Sequence, residues 1–195
     1  MGVQCLNKSA IVLTSAVWEA YVEDVCGNAV DHLSQHLPDA SNLPDLIKLE
    51  IAAEIHRRYN DAPGKKKDRK SAWELADGGW KIVLANNLTR IKEKMLMGNA
   101  FNTCKADNVK DLLERAIGLQ DVCQFWRWQG ATPDRVRTRL DEYIGLRGDV
   151  AHRGAAATSI RKNQCTAFLG LVEHLVGATE TAISNHLQTL TGTGF

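Results

Sequence analysis

The stretch "AIVLTSAVWEAYVEDV", residues 10–25, decides how this chain folds. Around it Leu6, Ala10, Leu13, Val17, Tyr21 and Val25 recur at spacings of three and four, the period of one helix face. Glu19, Glu23 and Asp24 fall on other faces. A strand would show alternation in twos. The spacing predicts a helix from about residue 3 to about residue 36, loosened at Gly27 and closed by Pro38.

The helical period continues outward. Pro44 opens a second helix, supported to about Tyr59 by Leu46, Leu49, Ala53 and His56 and by the row Ile47, Ile51, Ile55. "NDAPGKKKDRKS", residues 60–71, reads as a solvated basic loop. A third helical region, from Ala72 to Leu96, is interrupted at Gly78 and Gly79. Asp107 reads as the N-cap of "NVKDLLERAIG", which Gly118 ends. "LQDVCQFWRW" reads as a short helix or turn bringing aromatic rings to the core. Thr132, Pro133 and Asp134 read as N-cap, first helical residue and first-turn acid of a helix running toward Arg147. Thr158 or Ser159 caps a last helix reaching about Leu190, with Phe168, Leu171, Leu175, Ala178 and Ala182 as its stripe. The tail "TGTGF" is expected to fray. No strand pattern, repeat or second domain stands out. The expectation is one all-α domain over residues 1–195, a bundle of four main helices with shorter ones inserted.

Composition excludes several classes. Net charge is +1, from 24 Lys and Arg against 23 Asp and Glu, so bulk charge selects no partner. Nucleic-acid binding would need local basic patches. The five cysteines are odd in number and form no C-x-x-C pair, against a disulfide framework or zinc site and for a reducing cytosol. Buried small apolar residues are the default reading of all five. No apolar run reaches a membrane span, and no secretory signal is visible, so the expected location is cytoplasmic.

The chemistry concentrates in "YIGLRGDVAHRG", Tyr143–Gly154. Val136, Leu140 and Tyr143 mark the apolar face of their helix. Arg147 falls within roughly 20° of that face, where arginines are usually paired, at an interface or binding an anion. His152, five residues on, lies about 140° away on an ideal helix. Two arrangements would bring the side chains together. The helix ends near Gly148 and the chain turns, or two copies meet at a two-fold axis. Arg and His at such spacing also occur by chance as polar residues at a helix end.

A resemblance bears on this choice. The run Trp18, Glu19, Tyr21, Val22, Glu23, Asp24 resembles the first helix of the RiboL-PSP-HEPN branch of the HEPN superfamily. "FNTCKADNVKDLLERAIGLQDV" resembles that branch's Asn-Thr segment, short helix and turn, and "RLDEYIGLRGDVAHRG" its closing motif. The three segments span nearly the whole chain in order. The resemblance implies a helical bundle that often forms homodimers, and many HEPN proteins are metal-independent ribonucleases with Arg and His separated by four to six residues. Arg147 and His152 match that spacing. The position after the arginine is commonly polar; here it is Gly148. Asp149 supplies the polar group and orients His152, or is a surface carboxylate.

The implied chemistry is self-cleavage of RNA. An imidazole titrates near neutrality and can take the 2′-hydroxyl proton or protonate the leaving 5′-oxygen. A guanidinium can hold phosphate oxygens and the charge of the pentacovalent transition state. The expected products are a 2′,3′-cyclic phosphate and a 5′-hydroxyl, with no cofactor and no metal.

Other features carry weaker expectations. Arg135 and Arg139, one turn apart, and Arg153 are candidates for RNA phosphate contact; Arg135 and Arg139 can instead pair with Asp134 or Glu142. Lys65, Lys66, Lys67, Arg69 and Lys70 can track an RNA backbone but read first as a solvated loop, and Glu19, Glu23 and Asp24 read first as a polar face or a salt bridge to Arg147 and otherwise as part of the site, if the first helix packs beside the motif. Trp126 and Trp128 flank Arg127, an arrangement that stacks bases or simply fills core. His32 and His36 stand at i, i+4 without an evident third ligand. The first functional expectation is therefore an RNA endonuclease, a toxin or defence effector with an antitoxin or regulatory partner. The alternatives are a non-catalytic HEPN module binding RNA, nucleotide or a partner protein, and a helical dimerisation scaffold.

Overall fold

The computed structural model describes residues 2–61, 73, 75, 78–86, 89, 103–153 and 159–195. It is an all-α bundle of α1 (Gly2–His36), α2 (Asp45–Asp61), α3 (Ala106–Ile117), α4 (Pro133–Arg153) and α5 (Lys162–Thr191). Residues 79–86 are also helical, and 3-10 turns cover Ala40–Asn42 and Val122–Phe125. The described residues contain no strand, only one isolated bridge between Trp128 and Ala131.

Helix α1 has the expected extent but buries a different face. Its core residues are Ile11, Trp18, Val22, Cys26, Ala29, Val30 and Leu33. Three residues of the expected stripe lie outside: Leu6, Leu13 and Val17, with Val3, are 61–71% exposed. The cause is composition. The first half of α1 is apolar on nearly every side, so helical periodicity identifies the helix without choosing its inner face. In α2, likewise, the row Ile47, Ile51, Ile55 is buried while Leu49 is exposed.

Helices α1 and α5 run parallel. The Gln4 and Asn7 side-chain amides donate to the Ile160 carbonyl at 3.2 and 2.7 Å, and the Gln4 carbonyl oxygen accepts from the Ile160 amide at 3.1 Å. Further along, the Tyr21 hydroxyl donates to the Val176 carbonyl at 3.1 Å, and His32 meets Thr191 at 3.4 Å. Between these helices stands an aromatic column. Trp18 stacks on Tyr21 with ring centres 5.8 Å apart and meets Trp126 edge-on at 6.1 Å. Both indoles are fully buried, so their N–H groups need acceptors. Trp18 donates to the Cys104 carbonyl at 3.0 Å and Trp126 to the Thr179 hydroxyl at 2.9 Å. Trp126 is thus a core residue.

The helix ends show where sequence reading succeeds. Gly118 caps α3 with φ 75°, the left-handed region glycine tolerates, and a Cβ there would stand 2.5 Å from Pro44. Asp107, however, lies inside the first turn of α3 rather than capping it. The free amide of Ala106 is taken by the Asp141 carboxylate of α4, at 2.9 Å. Nor does Ser159 cap α5: the helix starts at Lys162, and the Gln164 side chain accepts from the Arg161 amide at 2.8 Å. Thr158 lies outside the described residues. All five cysteines are free, and Cys26, Cys104 and Cys123 are buried. Cys5 is exposed and Cys165 half-buried, so the expectation of burial fails for those two.

Candidate functional site

Pro133 starts α4 with a fixed φ, Asp134 sits in its first turn, and Val136, Leu140 and Ile144 form its buried stripe. The stripe carries Arg147 inward, where it is half-buried. Its neighbour there is Glu19 of α1. Burial pushes the Glu19 carboxyl above its ordinary range, the positive charge of Arg147 opposes that, and Glu23 adds to it. The same corner holds the buried Cys104, whose thiol is pushed up to about 12 by burial, with Glu19 and Glu23 contributing. A thiol held protonated in this way is a poor nucleophile.

Helix α4 runs unbroken from Pro133 to Arg153. This corrects one of the two expected arrangements: the helix does not end near Gly148, and the chain does not turn there. A continuous helix tolerates Gly148 because its carbonyls and amides remain in the ladder, and a Cβ at this position would meet nothing. Arg147 and His152 therefore diverge by about 140° and are separated by about 7.5 Å along the axis. His152 is exposed. Asp149, also exposed, is three residues before His152 and shares its side of the helix.

The other expected residues are not gathered with these. Arg135 and Arg139 are exposed. Arg139 lies roughly 12 Å along the axis from Arg147, eight residues at about 1.5 Å each. The Arg153 side chain and the basic loop at residues 65–70 lie outside the described residues. Sequence reading passed over Arg137, which sits between Arg135 and Arg139. It reaches Asp107 at 2.7 Å and Asp121 at 3.7 Å, tying α4 to α3 and to the turn before Val122. No local signal separates it from Arg135, which is equally adjacent to the buried Val136. Trp128 is half-buried and stacks on His174 at 4.8 Å. His32 and His36 have ring centres 4.5 Å apart, and no group of three His, Cys, Asp or Glu able to hold a metal stands among the described residues.

The all-α bundle, with the Trp-Glu-x-Tyr run of α1 beside α4, agrees with one family. The RiboL-PSP-HEPN family model matches residues 2–185. The chain belongs to the RiboL-PSP-HEPN family. Searches of curated proteins and of solved structures gave no match. HEPN membership is consistent with an RNA-related activity and with a ribonuclease. No helix among the described residues of this HEPN chain is long and apolar enough to cross a membrane.

Proposed function

We propose that this HEPN chain is a metal-independent RNA endonuclease acting at a homodimer cleft, with Arg147 and His152 as its catalytic residues. One observation carries the reading: the last turns of α4 hold a half-buried guanidinium beside Glu19 and, one turn on, an exposed imidazole. The two groups diverge within one chain, so a second copy supplies the complementary group. In the proposed reaction one His152 takes the 2′-hydroxyl proton and the 2′-oxygen attacks phosphorus. The bond to the 5′-oxygen breaks, and His152 of the partner subunit protonates that oxygen. Arg147 balances charge on the phosphoryl oxygens. Asp149 is a positioning residue for His152, and Arg135, Arg139 and Arg153 contact flanking phosphates.

The exposed stripe Val3, Leu6, Leu13, Val17 is not the surface that would join two motifs. Val17 and Glu19 lie about 200° apart on α1, so the stripe faces away from Arg147. The proposed cleft forms instead beside the last turns of α4.

The test is cleavage of single-stranded RNA by the purified chain in the presence of EDTA, with analysis of the product ends. Cyclic phosphate ends, lost in Arg147→Ala and His152→Ala proteins that remain folded, are the expected result. Activity abolished by EDTA, or retained by His152→Ala, defeats the proposal. The second reading, a non-catalytic module, is favoured by Gly148 in the position that is usually polar; it expects RNA binding with no cleavage in any protein tested. As a toxin or defence effector restrained by an antitoxin or regulatory protein, the chain would stop growth when expressed alone, and His152→Ala would not.

A further inference from the structure

The first half of α1 is apolar on nearly every side, and a helix of that kind is ordinarily covered all round. Here one side stays open. Val3, Leu6, Leu13 and Val17 are 61–71% exposed, and no exposed residue from Gly2 to Ala20 carries a charge. Leu169 of α5 is 50% exposed and extends this surface. It stands one turn after Cys165, whose thiol donates to the Asn7 carbonyl of α1 at 3.4 Å, so it lies on the side of α5 that meets α1.

The order of the residues identifies what fits. Val3, Leu6, Ala10, Leu13, Val17 and Ala20 alternate spacings of three and four, a seven-residue repeat that packs against another helix. Charges flanking such a seam ordinarily choose the partner. The flank on one side is Gly2, Ser9 and Ala16, small and uncharged. The other is Asn7, Thr14 and Tyr21, of which Asn7 and Tyr21 bond to the Ile160 and Val176 carbonyls. No flanking charge selects a foreign helix. The seam's own copy, run antiparallel, does fit it. Leu6 then meets Val17, Leu13 meets Ala10 and Val3 meets Ala20, a larger residue against a smaller one in every layer. The exposed Asp24 falls just beyond the partner's first turn, at the positive end of that helix. A parallel copy would set leucine on leucine and alanine on alanine, with the two helix dipoles aligned side by side. The seam is about 26 Å long and one helix wide, about 10 Å, at the low end of interface sizes, so the association depends on concentration.

We propose that this face of α1 is a self-association surface, occupied by α1 of a second copy running antiparallel. The seam faces away from Arg147, so the surface is separate from the α4 cleft and does not rest on the nuclease reading. A chain using both surfaces assembles beyond a dimer.

The experiment measures the mass of the full-length protein by light scattering through a dilution series. Leu13→Glu places a charge on the exposed seam and is expected to halve the limiting mass while the circular dichroism spectrum is unchanged. Crosslinking then tests the register. Leu6→Cys and Val17→Cys proteins, each also carrying Cys5→Ser, are expected to form a disulfide when mixed and oxidised, and neither with itself. In the antiparallel pair each residue stands about 17 Å along the axis from its own copy, beyond the roughly 7 Å Cα reach of a disulfide. The proposal is overturned if the wild-type and Leu13→Glu masses agree at every concentration, which would assign the face to a different protein. It is overturned equally if Leu6→Cys crosslinks to itself, as a parallel pair would, or if no mixed disulfide forms. Thiols at positions 6 and 17 that resist maleimide at the highest dilution also overturn it, because the chain itself would then cover the face.

Discussion

The aromatic column and the last turns of α4 are built on opposite terms. In the column, the indole N–H groups of Trp18 and Trp126 find acceptors within the chain, at the Cys104 carbonyl and the Thr179 hydroxyl. At the end of α4, Arg147 turns toward Glu19 while His152 points outward, about 140° away. The column explains why the chain folds. The helix end carries the residues of the proposed site, and His152 there is exposed.

That contrast sets the order of expected effects. His152→Ala should lower RNA cleavage by about 10²- to 10⁴-fold, the usual loss of a general acid–base group, with no change in Tm. A large fall in Tm would instead make His152 structural and erase the contrast. Trp126→Ala should cost about 3–5 kcal/mol in urea denaturation, because it opens a cavity and strands the Thr179 hydroxyl. A cost below about 1 kcal/mol would remove the column from its role. Gly118→Ala should cost at least about 1–2 kcal/mol for the left-handed conformation alone, with the approach to Pro44 adding to it.

Two smaller effects depend on pH. The Glu19 carboxyl is raised by burial, so the folded protein favours its protonated form. Its contribution is fully present below the unfolded-state value and is lost as pH rises through the folded one. Glu19→Gln should flatten the stability profile across that acidic window, and an unchanged profile would show that Glu19 is not held in this corner. His32 is lowered chiefly by burial, then by His36, with a bond to Thr193 opposing. A lowered histidine stabilises above its unfolded value and loses that contribution as pH falls through the folded value. Protection of the Thr193 and Phe195 amides, taken relative to their unstructured exchange rate at the same pH, should therefore fall below about pH 6.5, and His32→Gln should remove the dependence.

The legible parts of the fold were those set by neighbours in sequence. The span of α1, the stop at Gly118 and the start at Pro133 all follow from local period, φ preference or a missing N–H. The inward placement of Arg147 was legible too, because α4 has one clear apolar stripe. What failed was set across the chain. Leu6, Leu13 and Val17 look as core-like as Ile11, Trp18 and Val22, and only packing against α5 and α4 chooses between the two faces. The cap of α3 comes from Asp141, thirty-five residues away, so no local motif announces it. Arg137 looks like its exposed neighbours Arg135 and Arg139, and only Asp107 and Asp121 distinguish it.

The Asp141 cap has a mechanical consequence. It clamps α4 to the first amide of α3, two turns before Arg147, and the Arg137–Asp107 pair adds a second clamp one turn earlier. Rotating α4 about its axis would tear both fastenings and expose a helix terminus. The rod is thus locked in azimuth, and the directions in which Arg147 and His152 leave it are fixed by residues farther back along it.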